Sequence, residues 1–383
     1  MALHFEPTEF AARNRRTREA MASRGLDAML LFAQESMYWL TGYDTFGFCF
    51  FQCLVLRADG GMTLLTRAAD LRQARHTSII EDIRIWVDRA DASPASQLRE
   101  LIYDLRLSGA EIGVEYDTHG LTAANGRAVD GELESFVRLS DASDLIPRLR
   151  ATKSPAEIAY VRRAAALADA ALLAGLSEIR AGAHEADILA AMQGAVLKGG
   201  GDYPGNEFII GSGADALLCR YKSGRRRLTD NDQITLEFAG VWRHYHAALM
   251  RTVIVGKPTA RHLELYQAAR DALQAVEDAM RPGASFGDVF EAHARTMDGR
   301  GLEAHRLNAC GYSLGARFTP SWMDWPMFYR SNPASIEPDM VLFAHMILMD
   351  SDTGTAMCLG RPYLTTIDAP EALSAAAIDL DIR

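Results

Sequence analysis

Residues 236–256 read LEFAGVWRHYHAALMRTVIVG. Apolar and β-branched residues run through both halves, with a polar stretch between them. The segment therefore predicts two strands joined by a tight turn. Glu237 stands on the first strand, and His244 and His246 sit at the start of the second. A carboxylate and imidazoles facing one another across a hairpin hold the parts for acid–base chemistry. The stretch has no second carboxylate, and that absence bears on the chemistry as much as the residues present.

Outward from the hairpin, EFIIGSG and QITLEFAG read as strands. Upstream, Ser154-Pro155-Ala156-Glu157 is a helix start: serine at the cap, proline first inside, glutamate three residues after the serine. It predicts a helix over about 155–178, with further helices near 185–198 and 260–279. The last third reads as a Gly/Pro/aromatic loop region over 311–335, then a strand in MVLFAHMILMD and a short strand near 362–367. The first part alternates a helix over 7–25, a buried strand at 28–32, an Asp59-Gly60-Gly61 hairpin within CLVLRADGGMTLLT, a helix over 88–107 and a strand in AEIGVEYD. Pro147 and Pro155 flank a charged linker. These readings give an N-terminal α/β domain over 1–148 and an α+β catalytic domain over 149–383.

The bulk properties narrow the function classes. With 383 residues and a formal net charge of −10, the chain has no basic footprint for nucleic acid. No stretch is long enough to span a bilayer, and MALHFEPTEF has no leader pattern, so a cytoplasmic protein is expected. The five cysteines are scattered and odd in number, which argues against a disulfide framework. No HExxH, GxSxG or phosphate-cradling loop occurs. The basic run Arg220, Lys222, Arg225, Arg226, Arg227 suits either an anion or a solvated turn.

LRATKSPAEI, FIIGSGADA, the Glu237 hairpin and IEPDMVLFAHM together resemble the creatinase/aminopeptidase P superfamily, whose catalytic domain is the pita-bread fold. The resemblance covers nearly the whole chain. It implies a homodimer, with first-domain aromatics (Tyr38, Tyr43, Phe48, Phe50) lying over the partner's site. Peptidases of the superfamily hold two metal ions through two Asp, one His and two Glu. At the matching positions this chain has Glu237, Ala248, Tyr312 in GYSLG, His345 and, more loosely matched, Gly360. Paired cations need several carboxylates, so neither a metal nor another cofactor is expected. The pattern resembles the non-metal branch, which includes creatinase and ectoine hydrolase, and looks closer to ectoine hydrolase in the hairpin and in GYSLGARFTPSWMD. Arg220 in ALLCRY stands where the peptidases carry a proton-shuttling histidine.

The expected activity is metal-independent hydrolysis of a C–N bond in a small amidine, guanidine or cyclic amide, with an ectoine-like solute leading. The rival readings are a metal-dependent Xaa-Pro dipeptidase and a binding protein that kept the fold. Glu237 is the candidate general base, and His345 and His246 are candidate acids or hydrogen-bond partners. The Tyr312 hydroxyl either stabilises a tetrahedral intermediate or caps a turn. Asp324 beside Trp322 suits a cationic ligand. Arg317 and Arg220 suit a substrate carboxylate. Glu207, bordering the same cleft, and the more exposed His244 are further candidate substrate-binding residues. Each of these residues also has a structural reading: core packing, a satisfied core histidine or a surface turn.

Overall fold

The computed structural model describes residues 3–220 and 224–383, which divide into two compact units, Met1–Arg150 and Ala151–Arg383. The first unit runs α1 (Pro7–Ser23), β1 (Ala28–Leu31), α2 (Gln34–Thr41), β2 (Cys53–Arg57), β3 (Met62–Arg67), α3 (Leu71–Thr77), β4 (Asp82–Trp86), α4 (Pro94–Asp104), β5 (Glu111–Val114), α5 (Ala123–Leu133) and β6 (Arg138–Asp141), with α6 (Leu145–Ala151) reaching its end. Its six strands form a mixed sheet in the order β4-β3-β2-β1-β5-β6, with an apolar cluster on each face. The helix expected over 88–107 is shorter because Ser93 caps it by accepting from the Ser96 amide, with Pro94 first inside. Tyr38 and Tyr43 are fully buried and Phe48 nearly so. These three are core residues and present no surface to a partner. Phe50 is half-exposed, with the Arg67 guanidinium 4.0 Å above its ring.

The second unit continues with α7 (Pro155–Glu178), α8 (Glu185–Lys198), β7 (Ile209–Ser212), β8 (Asp232–Trp242), β9 (Tyr245–Val255), α9 (Ala260–Ala279), α10 (Phe286–Asp298), β10 (Ala309–Ser313), β11 (Asp324–Tyr329), β12 (Val341–Asp350), β13 (Thr355–Leu364), β14 (Glu371–Ala372) and β15 (Asp381–Ile382). The sheet order is β11-β10-β12-β13-β9-β8-β7, with β14 on β13 and β15 on β9. The 311–335 region, expected as loop, contributes strands β10 and β11. The final strand is longer and earlier than expected, because all ten residues of β13 pair with β12. Among the described residues no helix is long and apolar enough to cross a membrane.

The predicted helix start forms a full capping box: Ser154 Oγ accepts from the Glu157 amide at 3.3 Å, and Glu157 Oε2 accepts from the Ser154 amide at 2.9 Å. The other Glu157 oxygen accepts the Tyr245 hydroxyl at 2.6 Å, which ties the start of α7 to the β8–β9 hairpin. That hairpin turns in two residues, Arg243 (φ 50°) and His244 (φ 65°). Both lie in the left-handed region that a two-residue turn matching strand twist requires, and neither is glycine. Side-chain contacts offset the strain. The Arg243 amide donates to Asp202, its guanidinium lies 4.9 Å from the Tyr160 ring, and His244 stacks on Phe318 at 4.2 Å.

Helix α7 lies directly on β8. A methyl group at Gly240 would sit 2.0 Å from Ala164 O and 2.4 Å from Ala168 N, so glycine is what permits this approach. We expect Gly240→Ala to destabilise the protein by about 3 kcal/mol, seen as a lower denaturant midpoint at unchanged slope. Gly194, in α8 with open space around it, is the control. Gly194→Ala should stabilise by about 0.5–1 kcal/mol.

Candidate functional site

Gly240 against α7 fixes which way β8 faces. Side chains alternate along a strand, so Thr235, Glu237, Ala239 and Val241 project from the opposite face of the sheet. Strand register extends this face across neighbours: Met250 lies opposite Glu237, Ala248 opposite Ala239 and His246 opposite Val241. Gly360 pairs with Met250, His345 with Gly360, and Tyr312 with Phe343. Glu237, Tyr312 and His345 thus share one face, reached from three strands far apart in sequence.

Glu237 is 7% exposed. Burial raises its pKa to about 7, opposed by the positive charge of Arg220 and by the Tyr312 hydroxyl, which faces the carboxylate as a donor. The Tyr312 hydroxyl in turn accepts the Trp322 indole N–H at 2.8 Å. Its own pKa is pushed well above the usual range by burial and the Glu237 charge, so Tyr312 keeps its proton and serves only as a donor toward Glu237. The thiols of Cys219 and Cys358 feel the same carboxylate and are pushed up by burial.

His345 is buried, with its Nδ1 lacking a hydrogen-bond partner among the described residues. Burial lowers its pKa to about 3, helped by the nearby His293 and Arg220. At neutral pH the ring is uncharged, which removes it as a store of a transferable proton and leaves it as a neutral hydrogen-bonding group. The Tyr312, Phe343 and His345 rings form a closed triangle, with centroids 5.4, 5.5 and 5.6 Å apart. Phe343 is fully buried and lies over Gly360, where a Cβ would meet its Cζ at 2.6 Å.

This geometry tests the fit to the two-metal set that the resemblance raises. Ala248 and Gly360 offer no side-chain donor, Tyr312 keeps its proton, and Phe343 fills the space over Gly360. Among the described residues, the His/Cys/Asp/Glu group whose ligand atoms converge is His305, Asp350 and Asp352. There Asp350 already accepts Arg261 at 2.7 Å and the Asp352 and Thr353 amides. The residues around Glu237 do not fit a pair of cations.

The other expected residues sort by their partners. His246 is fully buried, and both ring nitrogens are taken by backbone: Nε2 accepts from the Gly205 amide at 2.8 Å, and Nδ1 lies 3.4 Å from Gly315 O as its donor. Burial lowers its pKa to about 3. His246 is thus a tether between loops, and its expected acid–base role is corrected. Asp324 is buried on β11, with Arg317 3.7 Å away. Each faces an opposite charge within the protein, which competes with the roles expected for them toward a cation and a carboxylate. Trp322 does reach the site, through its indole N–H. Arg220 is exposed, with its charge felt at Glu237. Glu207 is exposed just before β7, and His244 belongs to the hairpin turn. Of the basic run, Arg226 pairs with Asp232 at 2.6 Å, and Lys222 lies outside the described residues. Asn206, whose Oδ1 accepts the Trp322 amide at 3.2 Å, and Phe343 went unread in the sequence. Phe343 sits two residues before His345, so alternation on one strand was a usable signal for it. Nothing local marks Asn206.

Two regions of the chain match known families: residues 13–152 the creatinase/prolidase N-terminal domain, and residues 159–358 metallopeptidase family M24. An ectoine hydrolase from Halomonas elongata is 28% identical over 357 residues, covering 89% of each chain. A Xaa-Pro dipeptidase from Pyrococcus furiosus is 22% identical over 241 residues, covering 63% of this chain and 67% of that one. Among solved structures, a Xaa-Pro dipeptidase from Bacillus anthracis superposes with a TM-score of 0.84 at 18% identity, covering 98% of this chain and 100% of the other. That likeness is one of fold: two domains, the second a pita-bread domain. With the M24 match spanning more than half its length, this chain belongs to metallopeptidase family M24, on a creatinase-type two-domain frame.

Proposed function

We propose that this protein is a hydrolase that opens a C–N bond in a small cyclic amidine or related amide, of the ectoine type, without a metal ion. The observation that carries the reading is the single buried carboxylate, Glu237, with a pKa of about 7 on a face whose neighbouring positions, Ala248 and Gly360, cannot supply a second. The ectoine hydrolase likeness over 89% of the chain supports the same substrate type.

A carboxyl group with its pKa near the working pH serves as base and then as acid. Glu237 takes a proton from water as the water oxygen bonds to the amidine carbon. The protonated carboxyl then gives that proton to the departing nitrogen as the C–N bond breaks. Tyr312 keeps the carboxylate oriented and available as a base, and the neutral His345 offers a hydrogen bond without competing for the proton. Arg220 places a positive charge near the carboxylate and holds down its proton affinity.

The deciding experiment is turnover by protein stripped with chelator, followed by mass spectrometry, on a cyclic amidine such as ectoine and on an X-Pro dipeptide. Ring opening without metal is expected. Dipeptide cleavage that appears only when Mn²⁺ or Co²⁺ is restored would replace this reading with the peptidase one.

Further outcomes follow from Glu237. With an active substrate, kcat/KM should rise with pH through about 7 as the base ionises. Tyr312→Phe removes a donor to the carboxylate, so the midpoint should move upward, by about half a unit. Glu237→Gln should lower kcat at least ~100-fold. Folded Glu237 holds its proton from the ordinary 4.5 up to about 7, so its contribution to stability is intact at low pH and lost as pH rises through 7. Glu237→Gln should therefore stabilise the protein by on the order of 3 kcal/mol at pH 8 and by little at pH 5, measured by denaturant unfolding of both proteins at each pH.

A further inference from the structure

The loop over 203–207 has no described side-chain contact with Glu237, yet its contacts lead there. The His246 ring accepts the Gly205 amide at 2.8 Å. Gly205 lies flush on the backbone of the 321–322 segment, where a Cβ would come within 2.9 Å of Ser321 C, Ser321 O and Trp322 N. The next residue, Asn206, accepts the Trp322 amide at 3.2 Å through its side-chain oxygen. Trp322, 1% exposed, donates its indole N–H to the Tyr312 hydroxyl at 2.8 Å, and that hydroxyl faces Glu237. The hydrogen bonds run from the β9 histidine through two loops to the Tyr312 hydroxyl, which shares one sheet face with Glu237.

We propose that His246 and Asn206 are positioning residues for Glu237: together they clamp the 203–207 loop onto the 321–322 backbone and so hold the Trp322 indole against the Tyr312 hydroxyl. The inference deepens the catalytic reading of Glu237 given above and rests on it for its meaning in turnover, but not for its physical content.

Direction follows from hydrogen-bond polarisation. An indole donor on the tyrosine oxygen makes the tyrosine a stronger donor to the carboxylate, which favours the charged form of Glu237. Loosening the clamp lets Trp322 withdraw, weakens that donation and raises the carboxyl's proton affinity. Among the described residues, the groups facing Glu237 are Arg220, Tyr312, Cys219 and Cys358. Asn206 carries no charge, so replacing it by alanine removes none; the neighbouring Glu207, whose backbone oxygen accepts from Asn206 Nδ2 at 3.0 Å, is unchanged in the test.

The test reads Glu237 itself. In protein labelled with ¹³C at the glutamate side-chain carboxyls, its resonance is identified by its loss in Glu237→Gln and titrated across pH 4–9. Asn206→Ala should move the midpoint upward by about half a unit, and His246→Leu should move it in the same direction. The second half of the cycle uses Tyr312→Phe, a near-isosteric change that leaves the ring and removes the link. Added to Tyr312→Phe, Asn206→Ala should leave the midpoint in place. An unmoved midpoint for Asn206→Ala alone overturns the proposal, as does an equal shift in both backgrounds. Should His246→Leu fail to fold, the Asn206 and Tyr312 cycle decides alone. On an active substrate, Asn206→Ala should also cost roughly tenfold in kcat with little change in KM. Because the titration needs no substrate, a failed titration counts against the clamp, and absent ring opening by the native protein counts against the hydrolase reading.

Discussion

Removing one carboxylate from water is the constraint around which the rest of the second unit is arranged. An ionised glutamate buried alone is costly, and among the described residues no basic group is bonded directly to Glu237. Its surroundings divide the cost. Burial favours the protonated form, while Arg220 and Tyr312 favour the charged one, and the balance falls at about 7. A tighter salt bridge would return the group to an ordinary acid with no proton to give, and a wholly apolar wall would leave it permanently protonated. The intermediate setting depends on the close placement of Tyr312 and Trp322, which explains why so much of the local packing is glycine-specific: Gly205 under the 321–322 backbone, Gly240 under α7 and Gly360 under Phe343.

How much of this was legible in the sequence depended on the range of the interaction. The hairpin, its tight polar turn, the Ser154 capping box and helices α7, α8 and α9 follow from local pattern, and each formed where the pattern placed it. Period-2 alternation also put Glu237 and His345 on strands, and the family resemblance named Tyr312 beside them. What alternation cannot give is a side chain's partner. His246 looked like a second acid–base group because a histidine opposite a glutamate's strand is chemically suggestive. Its role was set instead by two backbone groups, Gly205 N–H and Gly315 C=O, that lie in other loops. Asp324 and Arg317 each invited a ligand when read alone, and in the fold each faces the other's opposite charge. Strands β10 and β11 were hidden because Gly311, Gly315, Pro320 and Pro326 mark loops in any local reading; Gly315 and Pro320 do lie in the connection, while Gly311 and Pro326 lie within the strands, which pair with register shifts.

The same burial shapes how the fold responds to pH. Glu237 and, in the first unit, Glu115 are carboxyl groups that burial raises to about 7. Glu115 accepts the Phe32 and Ala33 amides just before α2 and the Ser36 hydroxyl within it. Each favours the folded state most at low pH and loses that contribution as pH rises through 7. His246, His293 and His345 act in the opposite sense. Burial depresses all three, to between about 3 and 4, so their neutral forms suit the fold above the ordinary histidine range and oppose it as pH falls below about 6.5. The two windows overlap between about 4.5 and 6.5, where the carboxyls lose stability and the histidines gain it as pH rises. Above about 7 the two buried carboxyls are charged at a cost to the fold, whereas the three histidines are neutral there. Glu237 and His345 share one influence, the positive charge of Arg220, which lowers the proton affinity of both.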